Sequence, residues 1–174
     1  MKRYIITGAP STGKTSLINA LQKEGHLTFE EVSRRIILEE QKRKGTKTPW
    51  EDVVGFTQLV YQKTIEELNT PIANYAFVDR GLPDNIAYLA LKKHPITKEL
   101  LDFKYTKHYH TTVFVLPIWE EIYVQDAQRL QSFEEATKIH HLLISTYQKL
   151  GFTTVLLPKN TIESRVQSIA KIIQ

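Results

Sequence analysis

The 174-residue chain carries 23 Lys and Arg against 19 Asp and Glu, a formal net charge of +4, and no cysteine. Disulfides and thiolate metal sites are excluded, and a balance this mildly basic does not argue for nucleic acid without a concentrated basic face. The apolar run after Lys2 and Arg3 is too short for a leader or a membrane span, so the expectation is a cytoplasmic protein with no membrane partner, residues 1–174 forming one domain with a core of its own.

In chain order, a short apolar strand is predicted over 2–7 and a helix over 14–24, stopped by Gly25. A brief strand at 27–30 leads into a helix over 32–44 that ends at Gly45. Pro49 suits the first turn of a helix over 50–69, with Glu51 and Asp52 near its positive end. Strand three, 75–78, ends at Asp79 and is followed by a helix over 83–93 and a helical piece at 97–103. Strand four covers 111–116, and a polar stretch runs over 120–129. Ser132 and Glu135 form a capping-box pattern at the start of a long helix that ends near Gly151. Strand five is 152–157, and Thr161 caps a last helix through 173. Alternating strands and helices imply a parallel sheet covered on both faces, a three-layer α/β/α fold with five strands.

The stretch from Gly8 through Ala9, Pro10, Ser11, Thr12, Gly13 and Lys14 to Thr15 reads G-x-x-x-x-G-K-[ST], and it lies between the first strand and the first helix. That context makes it a phosphate-binding loop. Glycines at both ends permit backbone angles that a side chain forbids, and the amides through Ser16 converge on phosphate oxygens at the positive end of the helix. Lys14 is placed to reach the β- and γ-phosphates, and the Thr15 hydroxyl to meet Mg²⁺. Five parallel strands with such a loop after the first is the architecture of P-loop NTPases of the kinase type.

Asp79 ends an apolar strand, where the Mg²⁺-associated carboxylate of such a protein belongs. Arg80 follows and can hold an acceptor or a phosphate bidentately. Asp84 is read as a helix cap rather than a substrate contact. Glu31 is the carboxylate chosen to orient an acceptor hydroxyl and take its proton, with Glu30 in reserve. Arg34 faces the same edge as a substrate residue, while one of Arg34 and Arg35 turns outward. Residues 118–132 are the expected lid, where Asp126 and Arg129 fall; Arg129 would neutralise charge on the transferring group. Trp50, Phe56, Tyr61 and Trp119 are read as packing residues. His108 and His110 share a strand face, with no further ligand pattern to support zinc.

With these landmarks in place, the chain resembles the small P-loop "AAA domain" family of predicted ATPases and nucleotide kinases, and is similar in layout to the nicotinamide riboside kinase domain of the bacterial NAD regulator. The likeness rests on residues 8–15, on the segment from Phe29 to Arg34, on Ala76 to Asp79, on Asp126 to Arg129 and on Thr161 to Arg165. It departs at Ala127, where the family pattern has glycine, and the Arg80-Gly81 pair is closer to thymidylate kinase-like enzymes. The resemblance implies nucleotide binding and a small-molecule phosphoryl acceptor.

Two function classes follow. The first is an ATP- and Mg²⁺-dependent kinase of a nucleoside, nucleotide or similar metabolite, with Lys14, Glu31, Asp79 and Arg129 in the chemistry. The second is an ATP- or GTP-binding regulatory or ATPase module without a small-molecule acceptor. A guanine-specific switch would want Asn-Lys-x-Asp after strand four, where Leu116-Pro117-Ile118-Trp119 stands instead, so ATP is favoured over GTP. Oligomeric state leaves no mark in the sequence.

Overall fold

The computed structural model describes residues 2–122 and 132–173. Most of the predicted lid, with Asp126 and Arg129, lies outside them. β1 (Lys2–Thr7) leads through the glycine-rich turn into α1 (Lys14–Lys23), β2 (Thr28–Phe29), α2 (Val32–Arg43) and α3 (Val53–Leu68). β3 (Tyr75–Asp79) is followed by α4 (Pro83–Leu91), α5 (Lys98–Asp102), α6 (Tyr105–His108) and β4 (Tyr109–Val115). A 3₁₀ turn at Glu120–Ile122, α7 (Phe133–Lys149), β5 (Thr153–Leu156) and α8 (Ile162–Ala170) complete the described chain.

The five strands form one sheet in the order β2-β3-β1-β4-β5, and every pairing is parallel. β1 is central and buried from Arg3 to Thr7, so its Tyr4-Ile5-Ile6 run is continuously apolar rather than alternating. Its side chains nevertheless divide by the two-residue period of a strand. Ile5 packs with Leu82 and Leu89 of the α4 region and Leu143 of α7, whereas Tyr4 and Ile6 pack with Leu17 and Leu21 of α1 and Val166 of α8. A smaller cluster of Val32 and Ile36 with Phe56 and Val60 ties α2 to α3. No described helix is long and apolar enough to cross a membrane.

Several boundaries differ from expectation for identifiable reasons. α3 starts later because the Asp52 carboxylate accepts from the Gly55 amide and caps the helix, leaving Pro49 and Trp50 in the preceding turn. β2 is cut to Thr28–Phe29, an edge strand paired only with β3. α6 was missed: four residues carry no periodicity. His108 ends that helix while His110 lies on β4, so the two do not share a strand face. The caps at Ser132 and Thr161 form as expected, each accepting from the amide three residues on.

Leu17 is fully buried between α1 and the sheet. Leu17→Ala should lower unfolding free energy by about 2–5 kcal/mol, read from urea denaturation. A loss well below that range would mean that α1 is not clamped to the sheet as described.

Candidate functional site

The carboxyl ends of the central strands open on a cavity of about 460 Å³. This is where ligands bind in open parallel sheets. Residues 10–16 line it together with Glu31, Arg34, Asp79 and Arg80. The loop, the end of β3 and the start of α2 therefore converge, as anticipated, although these stretches are far apart in sequence.

The loop is built by close approach. Gly13 adopts φ +89 and starts α1 in the left-handed region, and a Cβ on Gly8 would stand 3.0 Å from the carbonyl oxygen of Leu116. The Lys14 ammonium donates to the carbonyls of Gly8 (3.1 Å) and Ala9 (3.0 Å), and Thr12 Oγ1 donates to Ala9 as well. Gly8 and Ala9 thus hold the lysine rather than line the cavity. Burial and the neighbouring Arg80 push the Lys14 pKa down to about 8, against the pull of Asp79, Glu31 and Asp84. Arg165 braces the loop from α8. It is 1% exposed, donates through Nη1 to the Thr12 carbonyl (3.1 Å) and through Nε to that of Pro158 (3.0 Å), and lies over the Trp119 ring.

Arg80 is the hub of the opposite wall. It is a non-glycine residue at φ +69, a conformation that costs about 1–2 kcal/mol. Two ion pairs hold it there: Nε donates to Glu31 Oε1 at 2.9 Å and Nη1 to Asp84 Oδ2 at 2.7 Å. Its guanidinium also lies 5.6 Å from the centre of the Tyr88 ring. Asp84 is not the helix cap expected of it. Its carboxylate is 3% exposed and accepts from Thr7 Oγ1 at 2.8 Å and from the Tyr147 hydroxyl at 2.5 Å, besides Arg80. Burial and this carboxylate raise the Tyr147 pKa well above its ordinary value, so the phenol stays a donor.

Glu31 sits at the start of α2 and also accepts from Ser33 Oγ at 2.7 Å. Burial would raise its pKa, but Arg80, Lys14 and the Ser33 bond bring it to about 2, and it is ionised at neutral pH. Glu30 makes no appearance in the cavity wall. Arg34 faces the cavity, while Arg35 is the arginine turned outward, paired with Glu67 at 2.8 Å. Asp79 is pushed up to about 6 by burial and by Glu31, with Lys14 and Arg80 pulling the other way. Its Oδ1 is buried with no hydrogen-bond partner among the described residues. An orphaned carboxylate oxygen and a cavity-lining Thr15 hydroxyl are hard oxygen donors of the kind Mg²⁺ takes.

Of the aromatic residues, Phe56 is buried and Tyr61 packs edge-on against Phe103, while Trp50 is 41% exposed at the cavity. The sequence reading gave no site role to Thr7, Tyr88 or Tyr147, and named Arg165 only as the end of the segment shared with the family. Only Tyr88 carried a usable signal, its one-turn spacing from Asp84 on α4.

The Glu31 shift has a consequence for stability. A carboxyl whose folded pKa is depressed stabilises the fold above its unfolded pKa, and that contribution is lost as pH falls. Wild-type unfolding free energy should drop between about 4.5 and about 2 with a slope that Glu31→Gln lacks. Urea midpoints over that range test this; parallel curves for the two proteins would contradict the Arg80 pairing.

Residues 3–165 match the AAA domain family. No curated protein matches. Among solved structures, the chain is similar to deoxyadenosine kinase from M. mycoides with a TM-score of 0.71 and 13% identity, over 98% of this chain and 97% of that one. It is similar to thymidylate kinase from Candida albicans with a TM-score of 0.66 and 15% identity, over 99% and 90%. For shikimate kinase from Acinetobacter baumannii the TM-score is 0.60 and the identity 19%, over 99% and 93%. These likenesses show the fold: the α/β P-loop architecture with a five-stranded parallel sheet. With the family match spanning nearly its whole length, the chain belongs to the AAA domain family of P-loop proteins.

Proposed function

We propose that the protein is an ATP- and Mg²⁺-dependent kinase that phosphorylates the hydroxyl of a nucleoside, a nucleotide or a similar small metabolite. The observation that carries this is the meeting, in one cavity, of a phosphate loop with an ionised carboxylate that the loop alone does not need. Glu31 is fixed by Arg80 and Ser33 at the wall facing Lys14 and Asp79. A binding module needs only the loop, whereas phosphoryl transfer gains from a second carboxylate that orients the attacking hydroxyl.

In this account the loop amides and Lys14 hold the β- and γ-phosphates of ATP, the ammonium exchanging the Gly8 and Ala9 carbonyls for phosphate oxygens. Thr15 and Asp79 are the residues to hold Mg²⁺, which when bound neutralises charge on the phosphates. Glu31 accepts a hydrogen bond from the acceptor hydroxyl. The acceptor oxygen bonds to the γ-phosphorus, the bond from that phosphorus to the β–γ bridging oxygen breaks, ADP leaves, and the acceptor proton passes to Glu31. Arg80 keeps Glu31 ionised and oriented, and Arg34 serves the acceptor. Arg129, outside the described residues, is the further arginine proposed to neutralise charge on the transferring group. The protein acts as a single domain in the cytoplasm. The sequence resemblance to the nicotinamide riboside kinase domain makes nicotinamide riboside one of the acceptors to be tried.

ADP release from Mg·ATP with a panel of acceptors is the test. Lys14→Ala should abolish release while circular dichroism stays native. Glu31→Gln should lower acceptor-dependent turnover about 10²–10⁴-fold with ATP affinity little changed. Full turnover by a folded Lys14→Ala protein, or by Glu31→Gln, would refute the roles given to those residues.

A further inference from the structure

The phosphate loop, Glu31 and Arg80 account for only part of the cavity wall. The rest runs along α3 and α4 and has a different chemistry: Val53, Phe56, Val60, Leu68 and Leu91, with Trp50 exposed beside them. An apolar slot with aromatic walls takes a flat ring by burial and orients it through a few polar groups.

One such group stands out. Asn85 is 6% exposed and lines the cavity, and its amide nitrogen Nδ2 is buried with no hydrogen-bond partner among the described residues. Buried donors are paired in folded proteins, so an orphan at a cavity wall marks a place where a ligand supplies the acceptor. Asn85 directly follows Asp84, whose carboxylate is saturated by Thr7, Tyr147 and Arg80. The network that aims Arg80 at Glu31 therefore also fixes the turn of α4 that carries this free donor.

Charge narrows the ligand further. The carboxylates of Glu31, Glu67, Asp79, Asp84 and Glu135 line the cavity, one more than the cations Lys14, Arg34, Arg80 and Lys92. Arg80 is engaged by two of them, and Lys14 is assigned to the donor phosphates, leaving Arg34 and Lys92 as the other cations of the lining. A dianionic monophosphate would enter against this excess of negative charge, whereas a neutral or cationic ring would not.

We propose that Asn85 closes an acceptor subsite for an unphosphorylated nucleoside-type alcohol. The ring lies in the apolar slot along α3 and α4, a carbonyl oxygen or ring nitrogen on it accepts from Asn85 Nδ2, and its hydroxyl is left at Glu31. This rests on the kinase reading above and selects the nucleoside over the nucleotide.

The test measures ADP release from Mg·ATP with adenosine, cytidine, thymidine and nicotinamide riboside, with the 5′-monophosphate of each, and with shikimate as a ring alcohol that is not a nucleoside. A nucleoside should exceed its own monophosphate in kcat/KM by about tenfold or more. Asn85→Leu, which keeps the volume and removes the donor, should raise the KM for that nucleoside about tenfold while the KM for ATP stays within about twofold. Thermal melting checks the fold, and Asn85→Ser supplies the same comparison if the leucine variant does not fold. Preference for a monophosphate or for shikimate, or an unchanged nucleoside KM in the Asn85 variants, overturns the subsite and leaves the kinase reading standing. Release that no acceptor stimulates overturns the kinase reading and the subsite together.

Discussion

A carboxylate as deeply buried as that of Asp84 must be compensated on every side, and the way it is compensated shapes the whole site. Thr7 reaches it from the end of β1, Tyr147 from α7 and Arg80 from the turn after β3. Three elements that are remote in sequence are thereby locked at one point. Removing one member would leave a buried charge short of a partner, which costs more than the bond itself contributes. The same point holds Arg80 in its left-handed backbone conformation and turns the other side of the guanidinium toward Glu31. Strain at a functional wall persists where the surroundings over-determine it.

The phosphate loop has its own anchor on the other flank of the sheet. Arg165 of α8 bonds the carbonyl of Thr12 within the loop and that of Pro158 after β5. Arg165 therefore shapes the loop from outside, while Lys14, folded onto Gly8 and Ala9 within, exchanges those carbonyls for phosphate oxygens when nucleotide binds. A cradle whose shape is set in advance loses less freedom on binding, which favours affinity for the phosphates.

How far the sequence reveals this depends on the range of each interaction. The loop is a local object: its glycines, lysine and threonine are contiguous, and their spacing alone announces it. The strands and capped helices were legible for the same reason, since apolar periodicity and the Ser132 and Thr161 caps are local signals. Asp79 was recoverable because a buried strand ending in a carboxylate is unusual. Asp84 was misread because the first turn of a helix is also where an ordinary capping carboxylate sits, and nothing local distinguishes the two. Its true partners, Thr7 and Tyr147, lie 77 and 63 residues away. Arg165 looks like any arginine on a terminal helix until the fold buries it, and Asn85 is unremarkable until its amide is seen to have no partner.

The proposed reaction is transfer of a phosphoryl group in the cavity to an acceptor hydroxyl, rather than mere binding or hydrolysis of a nucleotide. The most direct measurement is mass spectrometry of the small molecules after incubation of the protein with Mg·ATP and a nucleoside mixture. Transfer yields one new species heavier than its nucleoside by a single phosphoryl group, formed in step with ADP and absent with Lys14→Ala. ADP and inorganic phosphate in equal amounts, with every nucleoside unchanged, would contradict it.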